Sequence, residues 1–326
     1  MKNANFDFIV IGTGMGGGTF GFALAKRGFK VLFIEKGNNY LDNKTLKGNY
    51  SECYDKLISN QDKRLKLSGR AFSKVYNDNK LKFPFIGSGT GGSSALYGMA
   101  MERFFPNDFL PRKIEFEHSD NLALPSEGWP FSYDDLSPYY SEAEFIYGVK
   151  GTGDKLKLDK KNGLSPPPEI NKINKKIYNF LQMKGYNPYV LPRSSNFRES
   201  CIECQGFLCP KDCKIDSFNA CVLPAIKNYN AEIITNAEVL SLETRKNIIS
   251  NVIVSQNGEI YKIYGENVVL AAGAIYSPYL LLKSKSKEFP NGLSNSSGLV
   301  GKNLMRHLID LYIVNSKYKI PKVGFM

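Results

Sequence analysis

The sequence is poor in features that mark several common classes of protein. It has two histidines and one tryptophan in 326 residues, and its apolar runs are all short. None approaches the roughly 20 residues that span a bilayer, so we expect no membrane span. The net charge is +12, but the lysines are scattered and form no basic block. We therefore expect a solvated basic surface and no nucleic-acid partner.

No secretory signal is recognisable, because only five residues precede the first predicted strand. We expect a cytoplasmic protein, whose six cysteines are reduced or bound to metal rather than paired in disulfides. The hydrophobic content of 42% is sufficient for a substantial core. The length fits two ordinary domains, or one large α/β domain with an insertion.

The N-terminal stretch has the pattern of a dinucleotide site. An apolar run at 8–11 leads into a G-x-G-x-x-G turn formed by Gly12, Gly14 and Gly17, and a second apolar run ends at Glu35. Gly12 permits a sharp turn, Gly14 leaves room for a pyrophosphate, and Gly17 lets the helix pack close to the strand. The helix N-terminus attracts phosphate, and Glu35 can accept hydrogen bonds from a ribose.

A second glycine cluster, GSGTGGSSALYGMAMERF, occupies residues 87–104. Glycine costs about 1 kcal/mol per residue in a helix, so the run before Ser93 is unsuited to one. Such a run suits a backbone that wraps closely around a rigid ligand. We expect a helix to start near Ala95, capped by the hydroxyls of Ser93 and Ser94.

These motifs together resemble the glucose–methanol–choline (GMC) oxidoreductases, flavoenzymes that oxidise alcohols. The first fingerprint of the family is the turn and distant acid described above. Segments 128–151, 266–284 and 296–307 also resemble family segments, and all appear in the family's order. The second fingerprint of the family is matched here by Gly91, Gly92, Ser93, Ser94, Gly98, Met99 and Arg103.

The resemblance implies an α/β fold: a three-layer, Rossmann-type FAD-binding domain with a partial substrate-side region. We expect the FAD-binding domain at 1–105 and 201–326, and the substrate-side region at 106–200. The C-terminal part of the usual family fold has no counterpart here. The implied reaction transfers hydride from a CH–OH group of an alcohol or sugar-like donor to flavin N5. An electron-acceptor protein or a complementing C-terminal chain is an expected partner.

Three further residues can be compared with the family pattern, and one of them differs from it. In related flavoproteins the residue equivalent to Val239 touches the adenine through its backbone. Ala272 lies in an AAGA stretch whose side chains are too small to pack against anything but a ligand or backbone. Many family members have an asparagine at the position of Tyr97, so a polar flavin contact made by that asparagine has no equivalent here.

The sequence nominates no catalytic residue. In the family, the base is C-terminal to every motif matched here. His118 lies in a polar loop, and His307 lies near the late flavin segment but is not at the position of the catalytic base. Neither histidine has a carboxylate or amide placed by the sequence to orient it.

A cysteine-rich segment has more than one interpretation. The four thiols of Cys201, Cys204, Cys209 and Cys213 lie within one loop, which suggests binding of a soft metal, either zinc or iron–sulfur. Cys204, Cys209 and Cys213 share the C-x4-C-x3-C spacing of the iron–sulfur loop in some dehydrogenase members of the family, where a cluster takes electrons from the flavin. The alternative is that these residues pack a join between domains as small reduced hydrophobes.

The late part of the chain predicts a β-meander with a turn at Asn257 and Gly258, then a strand at 268–272 and a helix opened by Pro278. Two further functional hypotheses stay open. One is a non-catalytic or truncated flavin-binding fragment that needs a separate C-terminal partner. The other is a different two-dinucleotide flavoprotein, which the Trp-Pro segment at 129–140 disfavours.

Overall fold

The structure, a computed structural model, describes residues 5–40, 75–77, 80–82, 86–110, 128–157, 163–198, 201, 208–209, 211–302 and 304. The chain divides into two compact units. Unit 1 comprises Met1–Gly98 and Cys204–Lys302, and unit 2 comprises Met99–Glu203 and Asn303–Met326. The domain limits expected from the sequence stay a prediction. No helix in the described part of the chain is long and apolar enough to cross a membrane.

Unit 1 is organised around a four-stranded parallel sheet. Its strands are β1 (Phe6–Ile11), β2 (Val31–Ile34), β7 (Glu232–Ile234) and β11 (Gly265–Leu270), in the order β11-β1-β2-β7. Helix α1 (Met15–Lys26) connects β1 to β2. Every residue of β2 is buried, as expected of a central strand covered on both faces.

The two faces of this sheet are covered by different layers. Helices α1 and α4 (Leu223–Tyr229) pack on one face, with Leu24 and Ala225 in the shared core. An antiparallel meander of β8 (Ala237–Arg245), β9 (Ile248–Gln256) and β10 (Glu259–Ile263) covers the other, together with helix α5 (Gly273–Lys283). The predicted three-layer α/β fold is confirmed. A short separate hairpin pairs β3 (Val75–Asn77) with β4 (Lys80–Lys82).

The predicted hairpin turn is also confirmed. Asn257 and Gly258 have φ angles of 52° and 85°, and they connect β9 directly to β10. Two successive positive φ angles define the turn whose twist matches that of antiparallel strands, and Asn-Gly is the pair that adopts it most readily.

The predicted start of the last helix is wrong. Helix α5 begins at Gly273, and Pro278 lies inside it rather than in its first turn. The start is set by the preceding strand: β11 ends at Leu270, and the next residue, Ala271, donates its N–H to the Ile11 carbonyl at 2.9 Å. The helix begins directly after this connection. The end of β11 therefore determines where the helix starts, rather than the preference of proline for the first turn.

The described part of unit 2 contains two α-helices and little regular sheet. Helix α2 (Tyr133–Ile146) follows the Trp-Pro segment, and Ser132 and Asp135 form a capping box at its start. Helix α3 (Lys172–Met183) is capped by the Asn171 side chain. A two-residue antiparallel pair joins β5 (Val149–Lys150) to β6 (Arg193–Ser194).

A buried ion pair holds unit 2 together. The Nε and Nη2 atoms of Arg103 donate to the two carboxylate oxygens of Glu144 at 2.6 and 2.7 Å. Nη2 also donates to Ser141 Oγ at 3.0 Å, and the Gly163 N–H donates to Glu144. Both side chains are 6% exposed, and the two-pronged contact with the carboxylate suits the planar guanidinium of Arg103.

We expect Arg103→Lys to lower the free energy of unfolding of unit 2 by about 2 kcal/mol, because a lysine keeps the charge but loses the two-pronged contact. Urea unfolding followed by Trp129 fluorescence measures this, since the chain's single tryptophan lies in unit 2. The exposed Arg198→Lys is the control and should change stability by less than about 0.5 kcal/mol. An equally small effect of Arg103→Lys would show that the pair is unimportant.

Candidate functional site

The first glycine turn connects β1 to α1 and can be made only by glycine at two positions. Gly12 has a φ of +98°, and a Cβ there would lie 2.5 Å from the Ala271 carbonyl oxygen. A Cβ on Gly17 would lie 2.1 Å from the Gly12 carbonyl oxygen. The strand, the turn and the helix are therefore packed backbone to backbone, as the sequence predicts for these glycines.

Gly14 is different, because the space in front of it is open. Its φ of −65° is allowed for any residue, and a Cβ built there would meet no atom within 4 Å. The protein's own packing therefore does not require a glycine here. A ligand that approaches the backbone at the N-terminus of α1 would require one, and this geometry fits a dinucleotide pyrophosphate.

The second glycine loop lies directly on the first. A Cβ on Gly92 would lie 3.0 Å from Gly14 Cα, and the Gly91 N–H donates to Thr13 Oγ1 at 3.1 Å. Gly91 and Gly92 have φ angles of 87° and 55°. The helix expected from Ala95 is absent: the loop passes through a short 3-10 turn, Gly92–Ala95.

Hydroxyl groups connect the two loops to a third segment. Ser94 Oγ donates to the Gly91 carbonyl at 2.6 Å and accepts the Ser217 N–H at 3.0 Å. Ser217 Oγ donates to the Gly14 carbonyl at 2.9 Å. Ser93 Oγ accepts the Gly87 N–H at 3.1 Å, so neither Ser93 nor Ser94 acts as the predicted helix cap.

Glu35 lies at the end of β2, where the motif places the acid. Its Oε2 accepts from Thr13 Oγ1 at 2.6 Å and from the Thr13 N–H at 3.2 Å, and its Oε1 accepts the Gly37 N–H at 2.9 Å. Burial raises the pKa of Glu35, and these hydrogen bonds oppose that shift. Thr13, which sequence reasoning missed, thus joins the acid to both glycine loops.

The remaining predicted site residues are dispersed. Ala272 contacts the first turn, since a Cβ on Gly12 would lie 3.2 Å from Ala272 Cα. Val239 lies in β8, opposite Val254, and packs against the core of unit 1. Met99 begins unit 2, where it is buried and its carbonyl accepts the Ser194 N–H at 3.0 Å. These assignments as cofactor contacts stay predictions.

Tyr97, where many family members have asparagine, has a structural partner. Its hydroxyl donates to the Ile215 carbonyl at 2.6 Å, which ties the second glycine loop to the segment before α4. The buried Lys214 next to it donates to the Ala95 carbonyl at 3.1 Å and closes the same join. Sequence reasoning missed Lys214 because a lone lysine in a polar loop carries no local signal.

Asp216 lies behind the second loop and is half-buried. Its Oδ1 accepts the Asn219 N–H at 2.9 Å, and a Cβ on Gly91 would lie 3.3 Å from its Cγ. Burial raises the pKa of Asp216 from 3.8 to about 6, and hydrogen bonds and Lys214 limit the shift. The small cavity beside it, about 40 Å³, has room for water but not for a flavin ring.

The raised pKa of Asp216 predicts a pH dependence of stability. The folded state binds this proton more tightly than the unfolded state does. The stabilisation is therefore complete below about pH 3.8 and lost as pH rises through about 6. Because asparagine does not titrate, Asp216→Asn should reduce this pH-dependent fall in the free energy of unfolding by up to about 2–3 kcal/mol. Asparagine keeps the acceptor for Asn219.

Urea titrations of both proteins between pH 4 and 7, followed by circular dichroism, make the comparison. Glu266→Gln, which changes an exposed carboxylate of β11, is the control and should leave the wild-type pH profile unchanged. Parallel profiles for Asp216→Asn and the wild type would contradict the assignment.

The described thiols do not complete the predicted cluster. The Cys213 N–H donates to Cys209 Sγ at 3.3 Å, so these two cysteines are neighbours, whereas Cys204 lies outside the described residues. Within the described ranges, no group of three or more His, Cys, Asp and Glu side chains is placed to hold a metal ion. An iron–sulfur cluster needs more thiolates than these two. His118 and His307 also lie outside the described residues.

Comparisons with known proteins agree with this geometry. A family model described as GMC oxidoreductase matches residues 6–309. The chain is 27% identical to 2-methyl-1,2-propanediol dehydrogenase from Mycolicibacterium austroafricanum, over 93% of this chain and 55% of that protein. It is 28% identical to 6'''-hydroxyparomomycin C oxidase from Streptomyces lividus, over 93% of this chain and 54% of the relative.

A solved structure shows the same fold. Formate oxidase from Aspergillus oryzae RIB40, studied for its FAD modification, superposes with a TM-score of 0.51 at 18% identity. The match covers 87% of this chain and 48% of that one. The chain thus spans about half the length of the relatives it matches.

Proposed function

Because this chain belongs to the GMC oxidoreductase family, we propose that unit 1 binds FAD and that the chain supplies the flavin-holding part of an oxidoreductase. The reaction would oxidise a CH–OH group of an alcohol or sugar-like donor. Both curated relatives described above carry names of that kind, a diol dehydrogenase and an aminoglycoside oxidase.

The observation that carries this proposal is the contact between the two glycine loops. Gly92 lies against Gly14, and Thr13 accepts from Gly91 while donating to Glu35. A nicotinamide enzyme needs the first loop and the acid, but it has no use for a second glycine loop seated on them. A flavin dinucleotide has a larger redox-active half than a nicotinamide dinucleotide. The second loop would contact that half.

The residues divide into roles along the cofactor. Gly12, Gly14, Gly17 and the N-terminus of α1 would hold the pyrophosphate. Glu35 would accept from the ribose, and the backbone of Val239 would contact the adenine. The flavin half would be held by Gly91, Gly92, Ser93, Ser94 and Ala272, and the expected contact of Met99, which belongs to unit 2, stays a prediction. FAD, when bound, supplies the hydride acceptor.

The donor alcohol also needs a base and a closed pocket, which we propose come from a complementing polypeptide. An electron-acceptor protein would then reoxidise the enzyme. The alternative is a non-catalytic flavin-binding fragment. It stays open because the chain spans about half the length of the relatives it matches. The iron–sulfur cluster and the cytoplasmic location stay predictions, and no step depends on either.

Identification of the bound nucleotide tests the proposal. Purified protein, or protein incubated with a mixture of FAD, FMN and NAD and then desalted, is denatured and its released nucleotides are separated by chromatography. FAD at close to one equivalent per chain is the expected result. Retention of NAD in place of FAD would overturn the flavin assignment.

A further inference from the structure

Two thiols of the cysteine-rich segment lie side by side in unit 1. The Cys213 N–H donates to Cys209 Sγ at 3.3 Å, and Cys213 Sγ donates to the Lys211 carbonyl at 3.7 Å. Asp212, between them, has a φ of 51°, and this left-handed conformation turns the chain so that Cys213 returns towards Cys209. Both cysteines are reduced in the structure. The proposed reaction has no step that uses them.

The two sulfurs are placed for different roles in thiol chemistry. Cys209 Sγ accepts an N–H, and such a contact favours the thiolate, which is the form that attacks a disulfide. Cys213 Sγ is a donor and therefore holds its proton. Lys214, Asp212 and Asp216 line the cavity beside Cys209, so charges of both signs surround it. Because Cys209 is half-buried and Cys213 is 1% exposed, an oxidant in solution reaches Cys209 first.

The two cysteines are close enough to form a disulfide after a small movement. Cys209 Sγ lies 3.3 Å from the Cys213 nitrogen. A nitrogen is about 2.5 Å from the Cβ of its own residue, so this sulfur lies within about 6 Å of Cys213 Cβ. A disulfide places the same two atoms about 3 Å apart. Rotation of the Cys213 side chain, with a backbone shift of at most about 3 Å, would therefore form the bond.

The residues that follow Cys213 hold the second glycine loop. Lys214 is 3% exposed and donates to the Ala95 carbonyl at 3.1 Å. The Ile215 carbonyl accepts the Tyr97 hydroxyl at 2.6 Å. These contacts begin one residue after Cys213, so a shift of the Cys213 backbone moves the anchor of the loop proposed to hold the flavin half.

We propose that Cys209 and Cys213 form a redox-active thiol pair whose oxidation to a disulfide weakens FAD binding. The oxidant is a low-molecular-weight disulfide such as oxidised glutathione. The Cys209 thiolate attacks one of its sulfurs, the S–S bond breaks, and one small thiol leaves with the proton that Cys209 released. Cys213 then loses its proton and attacks the Cys209 sulfur, and the second small thiol leaves with that proton. Two protein thiols lose two electrons in total, and one small disulfide is reduced to two thiols.

The effect on the cofactor rests on the proposed function, because it requires FAD at the second glycine loop. Coupling between two sites typically changes affinity by about 5- to 150-fold. We expect the affinity for FAD to fall about tenfold when the disulfide forms. Linkage requires an equal reverse effect, so bound FAD should raise the reduction potential of the thiol pair by about 30 mV.

Peptide mapping detects the bond. The full FAD-loaded chain is equilibrated with mixtures of reduced and oxidised glutathione, its remaining thiols are alkylated, and it is digested with trypsin. Cleavage after Lys211 places Cys209 in peptide 199–211 and Cys213 in peptide 212–214, so the disulfide links two peptides. The linked peptides should appear as the fraction of oxidised glutathione rises and disappear when dithiothreitol is added.

Single variants identify the thiols. Cys209→Ser and Cys213→Ser should each abolish the linked peptides. Cys221→Ser, which changes another buried thiol of unit 1, is the control and should leave them unchanged.

Three results of the mapping would overturn the proposal. Linked peptides in Cys209→Ser would assign the bond to a different cysteine. A stable mixed disulfide of glutathione with Cys209 would show that Cys213 does not reach it. Iron or zinc that is present in the wild type and lost in Cys209→Ser would assign these thiols to a metal site.

FAD titrations of the reduced and the oxidised protein, followed by flavin fluorescence, separate this inference from the proposed function. The wild type should bind FAD about tenfold more weakly after oxidation, and Cys213→Ser should bind it equally in both glutathione mixtures. Equal affinities for the two forms of the wild type overturn this inference alone. A reduced chain that does not bind FAD overturns the proposed function, and the linked peptides still test the thiol pair.

Discussion

Replacing Gly14 by valine should abolish FAD binding and leave unit 1 folded. The backbone at Gly14 is extended, with φ −65° and ψ −176°, and a Cβ would meet no protein atom within 4 Å. Valine is therefore tolerated by the empty protein, but its side chain fills the space proposed for the pyrophosphate. We expect affinity for FAD to fall by at least ~10³-fold, about 4 kcal/mol.

Lys26→Val is the control, because it places the same side chain at an exposed position of α1 in its last turn, away from the helix N-terminus. FAD titrations followed by flavin fluorescence give the affinities, and circular dichroism shows that both variants are folded. Equal affinities for the two variants would place the pyrophosphate elsewhere.

Alcohols should not reduce FAD bound to this chain alone at a useful rate, whereas dithionite should bleach it. Oxidation of an alcohol needs a base within about 3 Å of the hydroxyl to take its proton, and such a base contributes ~10²–10⁴-fold. The two acids next to the glycine loops are Glu35, which is buried, and Asp216, which is half-buried, and both accept backbone N–H groups. Because these carboxylates already accept hydrogen bonds from the protein, we expect neither of them to act as the base.

Anaerobic stopped-flow measurements against sugars, polyols and simple alcohols make this test, with flavin absorbance as the signal. Dithionite is the control, since it reduces flavin without a base. Rapid bleaching by a substrate would show that the base lies within residues 1–326, and His307→Ala would then be the first variant to examine.

The sequence predicts the nucleotide-binding core well because its signals are local. Gly12, Gly14 and Gly17 lie within one turn, and Glu35 follows at the end of the next strand. The Asn257-Gly258 turn is equally local, because the two residues alone select its backbone angles. In each case a few adjacent residues determine the conformation, so no knowledge of distant contacts is needed.

The connections that complete the site are not local, and the sequence did not predict them. Ser217 and Gly14 are 203 residues apart, yet their hydrogen bond joins the segment before α4 to the first loop. Asp216 and Ser217 precede an apolar run, which is a signal for the start of a helix. That signal does not indicate which loop the Ser217 side chain contacts. Ser94, predicted as a cap, instead bonds to Gly91 and Ser217, because the positive φ angles before it prevent a regular helix.

Amide hydrogen exchange with and without FAD tests the central claim most directly, because it reports both glycine loops in one experiment. We predict that FAD slows exchange at residues 12–18 and at 89–95, and leaves the exposed Asn257-Gly258 hairpin unchanged. NAD at the same concentration should give no protection at 89–95. Bound FAD that protected neither loop, or NAD that protected both, would contradict the assignment of this contact as a flavin dinucleotide site.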